Sequence, residues 1–144
     1  MDLATRKQRL LAIVIDSVLI SGAFAIAAYE ELPEPVRFLG LVAGLAVFAG
    51  NLFYLSTRGQ TLGKKAVGIR IVLMATQENG GFVANVLKRG VLSGLPYFVL
   101  TLFAPVIGGL YIWTDILLIF RGSRRCLHDQ IAGTVVIQAD PAMV

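Results

Sequence analysis

The chain has 144 residues, 56% of them hydrophobic and only 15% charged, with a net charge of +4. Soluble domains carry about 25% charged residues, so this composition, with a mean hydropathy of +0.75, argues for a membrane protein of one domain, residues 1–144. Cysteine and histidine occur once each, as Cys126 and His128, which excludes an intrachain disulfide, a thiolate cluster and a His-based metal centre within one chain.

The first apolar run is Leu10–Ala28. As a helix it would reach about 28 Å, close to the hydrocarbon thickness of a bilayer. Asp16 lies inside it and Arg9 at its edge. A carboxylate at that depth costs about 2.5–3.5 kcal/mol on insertion scales, so it needs a partner or a purpose. Arg9 and Asp16 share a helix face but stand about 10 Å apart along the axis, too far for a direct ion pair. Each is expected to meet another segment. Arg6, Lys7 and Arg9 give the start a basic character like that of a signal peptide. The length of the run, the interruption at Asp16 and the apolar segments that follow read instead as a retained helix that also directs insertion.

Tyr29–Pro35 holds two prolines and three glutamates and predicts a turn. A second apolar run, Val36–Leu55, contains Gly40, Gly44 and Gly50. The Gly40-x-x-x-Gly44 spacing predicts close approach of another helix, from this chain or a second copy. Residues 56–90 are more polar. Gly68–Met74 is β-branched and partly alternating, a strand signal, and Asn79-Gly80-Gly81 is a turn. Phe82–Arg89 reads as an amphipathic entry to the next helix.

Val91–Phe120 is too long for one straight span and is broken by Pro96, Pro105 and Gly108-Gly109. Charge placement decides how it runs. The first connection carries Glu30, Glu31 and Glu34 against Arg37, whereas the second carries Arg58, Lys64, Lys65, Arg70, Lys88 and Arg89 against Glu78. Arg121, Arg124 and Arg125 follow the last apolar run. The positive-inside rule then puts both termini and the middle region in the cytoplasm. The third apolar region must go in and return, as arms Val86–Phe103 and Val106–Phe120 turning near Ala104-Pro105. One long kinked helix is the alternative and breaks the charge rule. Gly133–Ile137 again reads as a strand, with Gly68–Met74 its natural partner in a small cytoplasmic ribbon.

Three separated motifs, Arg9-Leu-Leu-Ala-Ile-Val-Ile-Asp16, Gly59-Gln-Thr-Leu-Gly-Lys64 with Gly68-Ile-Arg-Ile-Val72, and Leu127-His-Asp-Gln-Ile-Ala-Gly-Thr134, together resemble the RDD family of small bacterial integral membrane proteins. The family is named for one arginine and two aspartates. Carried onto this chain they are Arg9, Asp16 and Asp129, with Asp115 the other candidate for the second aspartate. The resemblance implies an all-α membrane protein: a small bundle of four transmembrane or re-entrant helices with a minor cytoplasmic β-ribbon, in the bacterial inner membrane. It implies a function less firmly, transport and cation/proton antiport having been attributed to members.

Gly59–Lys65 looks superficially like a phosphate loop, but its glycine spacing is wrong and Lys65 stands where Ser or Thr is needed. It reads as a basic loop at the level of anionic headgroups. Histidine is the side chain suited to proton exchange near neutrality, which makes His128 a candidate for it, and Asp129 is placed to accept from an arginine or to cap Ile131 or Ala132. The pair reads as a structural latch first and a proton-handling site second. Asp115 is a further acid in an apolar helix, set to meet interfacial water or a basic side chain. Trp113 and Tyr111 read as packing or interface anchors.

Two acids in apolar helices, Asp16 and Asp115, support transport with an aspartate as proton or cation site. A non-enzymatic assembly module docking other membrane proteins is the alternative. No catalytic signature, cofactor site, metal site or nucleic-acid surface is expected. The expected partners are anionic lipid, a second copy of the chain and other membrane proteins. Asp16 is expected to face a cation, Arg89 foremost, and Arg9 to form a half-exposed bidentate contact with Asp129. The topology predicts that cysteines placed at Glu31 and at Val144 are labelled from opposite sides of the membrane; labelling of both from one side would overturn it.

Overall fold

In a computed structural model, residues 2–139 are described. Val144 and the other terminal positions, Met1 and residues 140–144, lie outside them. The order is α1 (Arg6–Ala28), α2 (Glu34–Arg58), a short α3 (Leu62–Ala66), β1 (Ile69–Leu73), α4 (Val83–Phe103), α5 (Pro105–Leu117), a short α6 (Leu127–Ile131) and β2 (Thr134–Gln138). Helices α1, α2 and α4 are long and apolar enough to cross a bilayer. The last apolar segment, Pro105–Phe120, is shorter and ends in one 3₁₀ turn.

Helix α1 starts where a capping box forms. The Thr5 hydroxyl accepts from the Gln8 amide at 3.2 Å and the Gln8 side chain accepts from the Thr5 amide at 3.0 Å. Its partner is α2. A Cβ placed on Gly40 would stand 2.8 Å from Ile26 and one on Gly44 3.1 Å from the Phe24 ring. The small-residue pair thus seats α2 on α1 of the same chain. Helix α2 ends at Gly59 in the left-handed region, φ +68°, and the Gly59 carbonyl accepts from the Ile71 amide at 2.7 Å.

The third apolar region is a hairpin. Helix α4 opens with wide π-type turns over Val83–Leu92 and becomes α-helical from Ser93. The switch falls at the residue whose carbonyl Pro96 cannot engage, because proline lacks the amide proton. Ala104 breaks the helix and Pro105 starts α5. The Tyr111 hydroxyl donates to the Ser93 carbonyl at 2.7 Å and ties the arms together. This is the expected turn, in place of one kinked helix.

Strands β1 and β2 pair antiparallel, with Ile71 opposite Val136. The N-terminal residues add to the other side of β2: the Ala4 amide donates to Val136 at 3.1 Å and the Gln138 amide to Asp2 at 2.9 Å. The ribbon gathers the helix ends. Arg6 donates to the carbonyls of Ile119 and Phe120 at 3.3 and 3.1 Å, tying the start of α1 to the end of α5. Asn85 donates to the Leu55 carbonyl at 3.0 Å, tying the start of α4 to the end of α2. The basic connections therefore share one end of the molecule, as the charge pattern predicts.

Hydrophobic burial is concentrated at that end, in Ala4, Ala12, Ile69, Ile71 and Val136, and in Val72, Val135 and Ile137. Along α1 and α2, by contrast, the buried residues are Arg9, Ala12, Gly40, Gly44 and Asn51, while leucines and phenylalanines face outward. Small and polar residues inside with apolar ones outside is the arrangement a lipid solvent favours.

Helix α3 lies against α1 so closely that a Cβ on Gly63 would stand 2.2 Å from the Ala12 carbonyl oxygen. Backbone atoms cannot yield as a side-chain tip can. Gly63→Ala is therefore expected to lower stability by about 1–3 kcal/mol, whereas Gly22→Ala, where nothing lies within 4 Å of the added carbon, should leave it unchanged or higher. Thermal unfolding in detergent checks both.

Candidate functional site

The charged residues singled out in the sequence converge at the ribbon end. Asp129, on α6, is 0% exposed and Arg9, on α1, 6%. Arg9 Nη1 lies 3.1 Å from Asp129 Oδ2 and Arg89 Nη2 lies 2.8 Å from Oδ1. The Cys126 amide donates to Oδ2 at 3.2 Å, and the Thr134 hydroxyl to Oδ1 at 3.4 Å. Arg125 holds the same turn from behind, donating to the carbonyls of Asp129 and Thr134 at 3.1 and 2.9 Å. One carboxylate thus joins the first helix, the third long helix and the tail.

The Arg9–Asp129 contact forms as expected, but it is buried and not half-exposed, and it is not bidentate. Asp129 is shared between two guanidiniums and a backbone amide, so each arginine engages a single oxygen. Asp129 also caps Cys126 and not Ile131 or Ala132. Burial pushes its carboxyl up; Arg89, His128 when charged, Arg9 and the Cys126 amide outweigh burial and hold it below the usual carboxylate range. The neighbouring Cys126 thiol is pushed up to about 11, by burial first and by Asp129 and Asp115 second. It stays a thiol at neutral pH.

Arg89 does not meet Asp16, which corrects the expectation for that pair. The Arg89 side chain lies on the π-type stretch of α4 and turns to α6. Asp16 instead receives the Thr61 hydroxyl on Oδ2 and the Gly63 amide on Oδ1, the latter at 2.8 Å. The start of α3 has its free amides distributed among side chains: Leu62 donates to Asn51 at 2.8 Å, Gly63 to Asp16, and Lys64 to Thr61 at 3.3 Å. The acid of the first apolar helix is thereby satisfied, among the described residues, by a helix start and a hydroxyl, not by an ion pair with a cation. The loop read as headgroup-level therefore packs on α1. Thr61 before Leu62 was the available signal, an N-cap residue opening a short helix.

Asp115, on α5, meets His128. The ring Nδ1 lies 2.8 Å from Asp115 Oδ2, and the His128 amide donates to Oδ1 at 3.0 Å. On the far side of the ring, Nε2 is 2.9 Å from Arg89 Nη2. A guanidinium only donates, so Nε2 accepts and the ring proton sits on Nδ1, facing Asp115. An unbroken polar chain then runs Asp115–His128–Arg89–Asp129–Arg9.

Two cavities flank this chain. The larger, about 320 Å³, is lined by Arg9, Lys64, Arg89, His128 and apolar residues of α1, α2 and the ribbon. The smaller, about 160 Å³, is lined by Tyr97, Tyr111, Asp115 and again Arg89 and His128. Lys64 was not singled out as a site residue; burial and then Arg89 push its ammonium down to about 8. As for metals, ligand atoms of Asp115, Cys126 and His128 lie within 4.8 Å of one another. The two arginines and the neutral thiol oppose a dication there.

A buried arginine–aspartate latch at one end of long apolar helices defines a helical membrane protein held by ionic contacts between its first helix, its third and its tail. The family model of the RDD family matches residues 3–133, and the chain belongs to that family. It is similar to the uncharacterized protein YckC of Bacillus subtilis, 31% identical over 138 residues covering 92% of this chain and 83% of the relative. It is also similar to an uncharacterized protein of Haemophilus influenzae, 32% identical over 102 residues covering 70% of this chain and 59% of that relative. No solved structure matches the chain.

Asp129→Asn leaves two buried arginines without their carboxylate and is expected to cost about 3–5 kcal/mol. The native carboxyl titrates below its ordinary 3.8. Its contribution is therefore complete above that pH and is lost as the pH falls through the native value. Unfolding in detergent followed down to acid pH should show a shallower acid limb for Asp129→Asn than for the wild type.

Proposed function

We propose that this protein is a non-enzymatic, multi-pass protein of the bacterial inner membrane that exchanges protons against a cation. In this reading the two arms of the hairpin complete four apolar crossings, and the basic end bearing the ribbon faces the cytoplasm. The observation that carries the reading is His128. It is hydrogen-bonded to an acid of an apolar helix, and it lines both cavities.

The chemistry supports a coupled proton step. With Nδ1 holding the ring proton, Nε2 is the free acceptor and it faces Arg89. A proton arriving on Nε2 sets a donor against a donor and repels the guanidinium. Arg89 Nη2, which also meets Asp129 Oδ1, then loses one of its two acceptors, while the new imidazolium proton faces Asp129 Oδ1 at 3.7 Å and competes for it. Asp115 stabilises the imidazolium across the ring. The proton reading therefore rests on Asp115 and His128 more than on Asp16, both of whose oxygens are engaged.

The second reading is an assembly module. It is favoured by the apolar residues exposed at the hairpin tip, Phe103 and Val106, which suit another membrane protein or a second copy as well as lipid. Proton flux separates the two. Pure protein in liposomes of anionic lipid is expected to collapse an imposed pH gradient when Na⁺ or K⁺ is added opposite. Asp115→Asn is expected to reduce that flux at least about tenfold, as loss of a proton-transfer group does, with little change in melting temperature. Absence of flux from the wild type for every cation tried would leave the assembly reading.

A further inference from the structure

The larger cavity has a composition the proton reading does not use. Its lining includes the cationic side chains of Arg9, Lys64 and Arg89, while among the described residues no Asp or Glu lines it. The carboxylates near it are committed elsewhere. Asp129 is divided between Arg9 and Arg89, and Asp16 is held by Thr61 and Gly63. Yet the guanidiniums are not used up. Arg9 Nε and Nη2 and Arg89 Nη1 are buried and find no partner among the described residues. Buried donors of a charged group are expensive to leave unmatched. Among the described residues, Lys64 Nζ has the Thr61 hydroxyl as its hydrogen-bond partner, at 3.4 Å.

We propose that this cavity is a binding site for a phosphate oxyanion, either free phosphate or the phosphate ester of an anionic lipid headgroup. Phosphate fits the donors: planar guanidinium forks meet its oxygens pairwise, and an ammonium supplies a point charge. Beside the cations, the remaining wall is apolar, with Ile13, Leu55, Ile71, Ile119 and Val136. The volume of about 320 Å³ falls at the lower end of small-molecule sites, which run from about 300 Å³. Free phosphate would fill a fraction of it. An ester carrying a short apolar stretch would use the whole lining. The position suits such a ligand, at the end where the basic connections gather and lipid headgroups would lie.

The depressed Lys64 ammonium agrees with this. Burial first and Arg89 second outweigh the Asp16 and Asp129 carboxylates there, so the ammonium is short of stabilisation. A bound anion supplies it. The site does not depend on proton exchange, because occupancy is measured without flux.

The test uses the full chain purified in a neutral detergent. Thermal unfolding is followed while inorganic phosphate is titrated against chloride of equal ionic strength, and separately while phosphatidylglycerol or zwitterionic phosphatidylcholine is added to the micelles. Stabilisation by phosphate beyond chloride, or by phosphatidylglycerol beyond phosphatidylcholine, supports the site and tells the two sources apart. Lys64→Gln removes a charge without touching the Asp129 contacts. It is expected to weaken the effective ligand about tenfold or more, as loss of a charged hydrogen bond does, while Lys64→Arg retains binding. Native mass spectrometry counts the bound molecule, and one per chain is expected. The proposal is overturned if chloride matches phosphate and phosphatidylcholine matches phosphatidylglycerol, or if a Lys64→Gln protein that unfolds as a single transition binds as tightly as the wild type.

Discussion

The Asp129 carboxylate is the interaction on which the rest of the molecule depends. Both of its oxygens are buried, and each faces a guanidinium from a different long helix. Desolvating three charged groups is costly, and the Coulomb attraction among them repays it only while every member is in place. Helix α6 is too short to hold a position by itself, so its carboxylate and the arginines must position one another. Through Arg125 the same turn fixes the start of β2, and β2 in turn holds β1 and the N-terminal residues. Electrostatics here takes the role that an apolar core has in a soluble domain.

That substitution follows from the solvent. Apolar side chains gain little by burying against one another when lipid is equally apolar, so helix contacts rely on close approach and on polar bonds. Helices α1 and α2 meet through Gly40 and Gly44. Helix α3 meets α1 through Gly63 and Asp16. Only at the ribbon end, where Ile69, Ile71, Val136 and Ala4 come together, does burial of hydrocarbon hold the structure. The backbone amides at the start of α3 are paired. Among the described residues, donors of Arg9 and Arg89 remain unpaired, and the larger cavity is bounded by those side chains.

Much of this was legible in the sequence. The hairpin followed from proline placement and the balance of cations between connections, and its turn falls at Ala104-Pro105. The ribbon followed from two β-branched runs that each needed a partner; the pairs extend over Ile69–Leu73 and Thr134–Gln138. The Arg9–Asp129 contact followed from both residues standing at helix ends of like charge environment. What stayed illegible depended on short elements. A five-residue helix such as α3 shows no periodicity, so the sequence points Asp16 to cations on long helices, whereas a hydroxyl and a backbone amide of α3 and its cap are its partners. The pairing of residues 2–4 with β2 carries no pattern at all. Arg89 lies within the widened turns of Val83–Leu92, which a 3.6-residue reading does not register.

The span of the latch along the chain has a consequence for biogenesis. Arg9 and Asp129 are 120 residues apart, and the strand that ties down the N-terminal residues comes later still. A ribosome therefore delivers α1 to the membrane long before its counter-charge exists. Until α6 emerges, every partial product carries an unneutralised arginine at the start of its first span, together with an unpaired β1 edge. Assembly is gated by completion of synthesis. A chain cut short before α6 keeps Arg9 without its counter-charge and β1 without its partner strand, a form distinct from the closed protein.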